Sequence, residues 1–225
     1  MNYKLSRCLL LAAILGLMPA SARGENLLNF DFNGTNPWPE AAADVMPSTP
    51  LDILTTLEVR AVGTAAAAEP DKPTGGLLIG AEVGEVALNW SAIFTSGFLA
   101  IKNSETDLKR LKLGLNLSAS AAHPVRLQME SFNAKKQRSG GLETVLEPRA
   151  ADSYERFNLD LSAFKPLGAG KFVPTDAFVQ FTFIIEAPAW TDKALHQIRI
   201  DDLSLANSQP VAPAPIAPAA GFERK

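Results

Sequence analysis

Strict alternation of apolar and polar residues is the feature that most constrains how this chain folds. In residues 108–120 (LKRLKLGLNLSAS) leucine occupies every second position from Leu111 to Leu117. A period of two sends alternate side chains to opposite faces, which is the pattern of a half-buried β-strand. No helical period is sustained over three turns anywhere in the sequence. We therefore predict an all-β fold, a single-domain β-sandwich or jelly roll.

Eight or nine such strands are expected, separated by stretches rich in Gly, Pro, Asn and Asp. The segments are 26–32, 56–62, 77–90, 96–103, 108–120, 124–132, 154–164, 177–187 and 196–205. A parallel βαβ architecture is disfavoured because the crossover helices that it requires are missing.

The amino-terminal residues predict an export signal. Lys4 and Arg7 precede an apolar run at 8–18, and Ala20-Ser21-Ala22 follows as a small-residue cleavage pattern. The apolar run is too short to span a bilayer. We therefore expect a signal peptide over residues 1–22 and a protein that is secreted, periplasmic or attached to the cell surface.

The remainder divides into a domain and a tail. Residues 23–206 carry the strand pattern, whereas Pro alternates with Ala and Val in residues 207–225. Such a tail favours an extended chain, either a spacer to a surface or protein partner or a disordered end. Cys8 is the one cysteine and lies within the signal, so the stability of the domain must come from its core, with or without a metal.

Charge limits the classes of partner. The formal net charge is −3, and the charged residues are scattered. This distribution provides no basic surface for nucleic acid. No second hydrophobic span or basic amphipathic face indicates membrane insertion.

Two adjacent carboxylates interrupt the last predicted strand. Ile198 and Ile200 alternate in one phase, Leu203 alternates in the other, and Asp201 and Asp202 lie between them. One extra residue, a β-bulge, would produce this change of phase and turn both carboxylates to one edge. Clustered oxygen ligands suit Ca²⁺, although acidic residues on a strand also discourage edge-to-edge pairing.

The order of several short motifs resembles the galactose-binding-like, jelly-roll carbohydrate-binding modules. ENLLNFDFNG (25–34) resembles their opening, FTSGFLAIKN (94–103) their Ser-Gly-hydrophobic strand, and IRIDDLSL (198–205) their final strand. LKLGLNLSAS, PVRLQMESFN and YERFNLDLSAF lie between the last two in the expected order. The resemblance covers roughly residues 25–206 and implies binding of a glycan or cell-surface polysaccharide.

The same resemblance implies a structural Ca²⁺ that joins the first and last strands. Carried over, its ligands are Asn33 and Asp201 or Asp202. The family usually has Glu where this chain has Asn33, and a neutral amide is a weaker ligand than a carboxylate.

The alternation also predicts a polar sheet face that could recognise sugar hydroxyls. Arg126, Gln128 and Glu130 would point outward from one strand, and Gln180 from another. Long side chains of these types hydrogen-bond adjacent hydroxyl groups. Any solvated sheet face carries a similar pattern, so this reading depends on whether the strands are neighbours.

Sugar sites usually add an aromatic ring that stacks on the pyranose. Trp38 and Trp190 lie in turn-rich stretches and are the candidates for this platform. The alternative is that each packs over an edge of the sandwich.

Nothing in the sequence indicates catalysis. His123 and His196 are the two histidines, they read as surface residues, and neither neighbours a nucleophile or zinc motif. Glu130 and Glu186 remain as a pair of carboxylates that could flank a glycosidic bond. We predict a non-catalytic carbohydrate-binding module; the alternative is an envelope or surface structural protein that uses the sandwich for protein contacts.

Overall fold

The structure is a computed structural model. It describes residues 25–32, 38, 42–46, 54–62, 76–83, 91–187, 189–190 and 195–208. The predicted signal peptide, the candidate ligand Asn33 and the tail from residue 209 onward lie outside the described residues.

The described residues form thirteen β-strands and two short 3₁₀ turns, Leu108–Arg110 and Leu161–Ala163. The strands are β1 (Glu25–Phe30), β2 (Ala42–Met46), β3 (Leu54–Val62), β4 (Gly76–Val83), β5 (Ser91–Thr95), β6 (Leu99–Ala100), β7 (Leu111–Ala119), β8 (Val125–Phe132), β9 (Arg138–Leu146), β10 (Glu155–Asp160), β11 (Lys165–Leu167), β12 (Phe178–Glu186) and β13 (Leu195–Asn207). No helix in this part of the chain is long and apolar enough to cross a membrane.

The strands form two antiparallel sheets. The first sheet has the order β10-β7-β13-β4-β3, with β1 also paired to β13. The second sheet has the order β11-β9-β8-β12-β5-β2, with β6 also paired to β12. Neighbours in each sheet are mostly distant in sequence, as in a jelly roll.

The core lies between the two sheets and is built by the alternation seen in the sequence. Leu111, Leu113, Leu115 and Leu117 of β7 are fully buried, whereas Lys112 of the same strand is exposed. The inward residues of β8 and β12 are buried in the same core. They are Val125, Leu127, Met129, Val179, Phe181, Phe183 and Ile185. The predicted all-β sandwich is confirmed.

One long strand and several short ones were not predicted. In β9 the residues Gly140 and Gly141 interrupt the apolar alternation, yet Leu142 and Leu146 pack in the core. A side chain at Gly140 could not be accommodated, because its Cβ would lie 2.4 Å from the backbone of Lys171. Here close approach of a loop, rather than a turn, explains the glycine.

The bulge predicted in the last strand is present. Pairing between β13 and β7 shifts register between Asp201 and Ser204, and Asp202 adopts a φ of 47°. Aspartate is among the residues that tolerate this left-handed conformation, which is why one extra residue fits here. Beyond the bulge β13 pairs with β1 from Leu203 onward, so the first and last strands are neighbours, as expected.

Candidate functional site

The outward side of the second sheet gathers the polar residues predicted from the sequence. Strands β8 and β12 are paired, with Gln180 opposite Glu130 and Ile184 opposite Arg126. Arg126, Gln128, Glu130 and Gln180 are all half-buried, while the residues between them face the core. We call this side of the second sheet the outer face.

Side chains in the middle of the outer face hold one another in place. The Gln128 amide donates a 2.7 Å hydrogen bond to Glu143 on the neighbouring β9. Arg126 donates to Glu186 at 2.8 Å, and a second guanidinium nitrogen lies 3.6 Å from Glu143. Since each partner restricts the rotamers of the other, the donors and acceptors are oriented before any ligand arrives.

An aromatic cluster occupies one end of the outer face. Phe132 of β8 and Phe178 of β12 are opposite each other, and the Phe98 ring lies 4.9 Å from Phe132 and 6.1 Å from Phe178. Phe98 and Phe178 are half-exposed. The Nζ atom of Lys136 lies 4.6 Å from the centre of the Phe98 ring.

Sequence reasoning missed this aromatic cluster although the signal was there. The alternation that turns Gln180 outward turns Phe178 outward as well, since the two are separated by one residue. The contribution of Phe98 was not readable, because it follows the turn at Gly97 and lies outside any regular strand.

The other end of the outer face contains a depression of about 350 Å³. Its lining is mainly apolar with one charged pair, and comprises Pro124, Arg126, Val145, Ile184, Glu186, Ala187 and Ala189. Val145 is 49% exposed, the one large hydrophobic side chain among the described residues with such exposure. An apolar floor beside a charged rim is the usual composition of a small-molecule site.

The two tryptophans are not platforms, and that prediction is wrong. Trp38 is fully buried, with its ring stacked 5.9 Å from Phe94 and 6.5 Å from Phe181 inside the core. Trp190 is also fully buried, and its indole N–H donates to the Pro124 carbonyl at 2.9 Å. Turn-rich sequence neighbours suggested that both rings are exposed, but both pack against apolar residues of the core.

The histidines pack around Trp190. The His123 ring lies 5.4 Å and the His196 ring 5.3 Å from the indole, both edge-on. His196 is 2% exposed, so the expectation that it is a surface residue is wrong. His196 lies opposite Ala81 of β4, and packing of its ring against the buried Trp190 indole explains its burial.

The two carboxylates considered for glycoside hydrolysis are far apart. Glu130 is opposite Gln180, and Glu186 lies six residues further along β12. Six strand residues span about 20 Å, beyond the roughly 5–10 Å that separates the two carboxyl groups of a glycosidase. Glu130 and Glu186 are in addition each paired with an arginine. This pair therefore cannot flank one glycosidic bond.

Acidic residues meet at the bulge of β13. Asp201 is buried, and burial, with smaller contributions from the negative charges of Asp202 and Asp31, raises the pKa of its carboxyl group to about 6. Asp202 is exposed and accepts a hydrogen bond from Asn116 at 2.9 Å. Burial and the nearby negative charge of Asp201 also raise the pKa of Tyr154 to about 12.

Asp201 and Asp202 are the acidic ligands of the calcium site predicted from the sequence. Their carboxylate oxygens are the hard ligands that Ca²⁺ prefers, and a cation would relieve their repulsion. Among the described residues, however, no three acidic, histidine or cysteine side chains gather closely enough to hold a metal. The remaining ligands would have to come from backbone carbonyls and from Asn33. The calcium prediction therefore stays a prediction.

Asp201→Asn is expected to stabilise the calcium-free protein at neutral pH. Because the folded-state pKa is raised, the stability contributed by Asp201 is complete below about pH 4 and is lost as the pH rises through about 6. The asparagine keeps the acceptor for the Asp202 N–H. Urea unfolding in EDTA at pH 7.5 should show a gain of about 1–2 kcal/mol after solvent screening.

The pH series supplies the control for Asp201→Asn. At pH 4 the gain should shrink to a small fraction of its value at pH 7.5, because the carboxyl group is then neutral in the folded protein and only about half ionised in the unfolded chain. A variant that is less stable at pH 7.5 in EDTA would contradict the assigned pKa direction.

Solved structures with a similar fold are known, although sequence comparisons find no match. No protein-family model matches the sequence, and no curated protein sequence matches it. Among solved structures, the family 11 carbohydrate-binding module of the Clostridium thermocellum cellulase Lic26A-Cel5E is similar, with a TM-score of 0.51 and 12% identity. The similarity covers 84% of this chain and 97% of the module. The fold is that of the carbohydrate-binding modules.

A second structure agrees with the first. It is a family 11 module from Clostridium thermocellum in complex with a β-1,3-1,4-mixed-linked tetrasaccharide. The TM-score is 0.53 at 12% identity, and the similarity covers 84% of this chain and 98% of that one. At this identity the likeness establishes the jelly-roll sandwich and no more.

Proposed function

We propose that this protein is an exported, non-catalytic module that binds a polysaccharide or oligosaccharide along its outer face. The observation that carries the proposal is the oriented polar network beside partly exposed phenylalanine rings on one side of the second sheet. Sugars need both parts, since hydroxyl groups take hydrogen bonds while the C–H face of the ring takes an apolar partner.

The polar network would read hydroxyl groups. Gln128 offers an amide oxygen and nitrogen, Arg126 offers only donors, and Glu143 only acceptors. Because these groups are already held in place by their mutual hydrogen bonds, little side-chain entropy is lost on binding. The site thereby gains affinity without deep burial of the ligand.

The length of the outer face favours a chain of sugars over a single one. Phe178 at the aromatic end and Ile184 at the depression are six residues apart on β12, or about 20 Å. A structurally similar module was solved with a tetrasaccharide, which supports an oligosaccharide as the ligand class here too.

Calcium is proposed as a structural ion only. Asp201 and Asp202 would hold it together with Asn33, at the point where β13 passes from its pairing with β4 to its pairing with β1. The ion would neutralise the carboxylates and fasten the terminal strands. It has no part in the proposed sugar contacts, which lie on the other sheet.

Affinity electrophoresis of the purified chain against a panel of soluble polysaccharides tests the proposal. At least one polymer should retard the protein. Gln128→Ala should weaken that retardation about 5–10-fold, the loss of roughly one net hydrogen bond.

The matched control is Asn158→Ala, an exposed amide on the outward side of the first sheet, at β10. It should leave retardation unchanged. No retardation of a folded chain by any polymer would overturn the proposal and favour the alternative, a surface structural protein that binds other proteins.

A further inference from the structure

We propose that the aromatic end of the outer face selects sugars that carry a carboxylate, so that the ligand is a polyuronate or a uronate-containing polysaccharide. This inference rests on the proposed function. It assigns Lys136 as the residue that reads the carboxylate and Phe98 and Phe178 as the rings beneath the sugar.

The ammonium group of Lys136 lies over the aromatic rings. Its Nζ atom lies 4.6 Å from the centre of the Phe98 ring and 5.7 Å from that of Phe178. These two rings are the half-exposed aromatic surface on the outer face. A sugar that stacks on them therefore meets the ammonium group at the same place.

The turn beneath Lys136 fixes that position. The side-chain carbonyl of Asn133 accepts hydrogen bonds from the backbone N–H groups of Lys135 at 2.8 Å and Gln137 at 3.1 Å. The Lys136 N–H donates to the Asn133 carbonyl at 2.9 Å. Lys136 itself has a φ of 57°, a conformation uncommon for lysine. The hairpin is thus held in a shape that directs this side chain toward the rings.

A neutral sugar and a uronate would interact differently with Lys136 at the ring surface. A neutral sugar must displace the ammonium from the ring face and offers it no charge in return, so the cation–π attraction is lost. A uronate occupies the same surface and gives the ammonium a carboxylate, a charge-assisted partner stronger than a neutral hydroxyl. The arrangement thus favours the acidic sugar.

The carboxylate nearest the aromatic cluster does not oppose an anionic ligand. Glu130, the carboxylate nearest the rings along β8, is paired with Arg138. Glu186 at the far end is paired with Arg126. Arg126 also lies 3.6 Å from Glu143, so the carboxylates that share one arginine are at the end of the face away from the rings.

The test compares each acidic polymer with its own neutral form. Polygalacturonate and alginate are each run beside the carboxyl-reduced polymer in affinity electrophoresis of the full chain. At least one polyuronate should bind about three- to tenfold more tightly than its reduced form, and the preference should shrink as salt rises. Lys136→Gln should abolish the preference while leaving binding of the reduced polymer the same or tighter.

Lys135→Gln is the matched control, because it removes the same charge from the same turn at a residue without a ring contact. It should keep most of the preference. Equal binding of acidic and reduced polymers by the wild type, or an equal loss in both lysine variants, would overturn this inference and leave the proposed function standing. Failure of these four polymers and of the neutral panel to bind would overturn both.

Discussion

Trp38→Ala is expected to destabilise the folded protein by about 3–5 kcal/mol, the cost of removing a large buried aromatic side chain. The ring is enclosed by Phe32 and Phe94, with centroid distances of 4.9 Å and 5.9 Å. No solvent is at hand to fill the space that the alanine leaves. Urea unfolding of the variant and the wild type measures the difference.

Trp38→Phe is the control for this prediction, since it retains an apolar ring and should recover a large part of the loss. Any folded fraction of Trp38→Ala should bind polysaccharide as the wild type does. A variant with unchanged stability and lost sugar binding would restore Trp38 as a platform and contradict its position in the core.

Phe178→Ala is expected to weaken polysaccharide binding about 30-fold or more, the size of an interfacial hot spot of at least 2 kcal/mol. Phe178 contributes to the outer face and contacts Phe98, whose centroid lies 6.1 Å away. Because its side chain is half-exposed, the loss in stability should be much smaller than for Trp38→Ala. Affinity electrophoresis and urea unfolding of the same preparation separate the two effects.

Phe178→Leu gives the matched comparison, because leucine preserves apolar area but offers no flat ring. It should restore most of the stability and little of the binding. Full binding by Phe178→Ala would show that the aromatic end takes no part in recognition.

The parts of the fold that local pattern determines were predictable. The leucines of β7 were assigned to the core because alternation leaves only two faces. The bulge at Asp201 was predicted because a change of phase within one strand requires an extra residue. The outward direction of Arg126, Gln128 and Glu130 followed from the same rule.

The parts that depend on contacts distant in sequence were not predictable. The sequence neighbours of Trp38 are typical of an exposed turn, but its burial depends on Phe94 and Phe181, which are distant in sequence. Strand β9 was missed because a glycine at position 140 interrupts its apolar alternation. That glycine is required by the close approach of the Lys171 backbone, 31 residues away in sequence. The sequence around Trp38 and around Gly140 does not indicate either contact.

The arginine–glutamate pairs of the outer face were also unpredictable, because they join residues distant in sequence. Glu186 was considered as a carboxylate for catalysis, and its partner Arg126 is 60 residues distant in sequence. Only the pairing of β8 with β12 brings the two together. The polar face was thus predictable as a direction for side chains, whereas its network was not.

Amide NMR of the isotope-labelled chain tests the central claim most directly. The chain is titrated separately with oligosaccharides cut from each polysaccharide of the panel. The account predicts that at least one ligand shifts the signals of Gln128, Glu143 and Gln180 most strongly. Signals that no ligand shifts, or shifts confined to Asn116 and Asn158 on the first sheet, would contradict it.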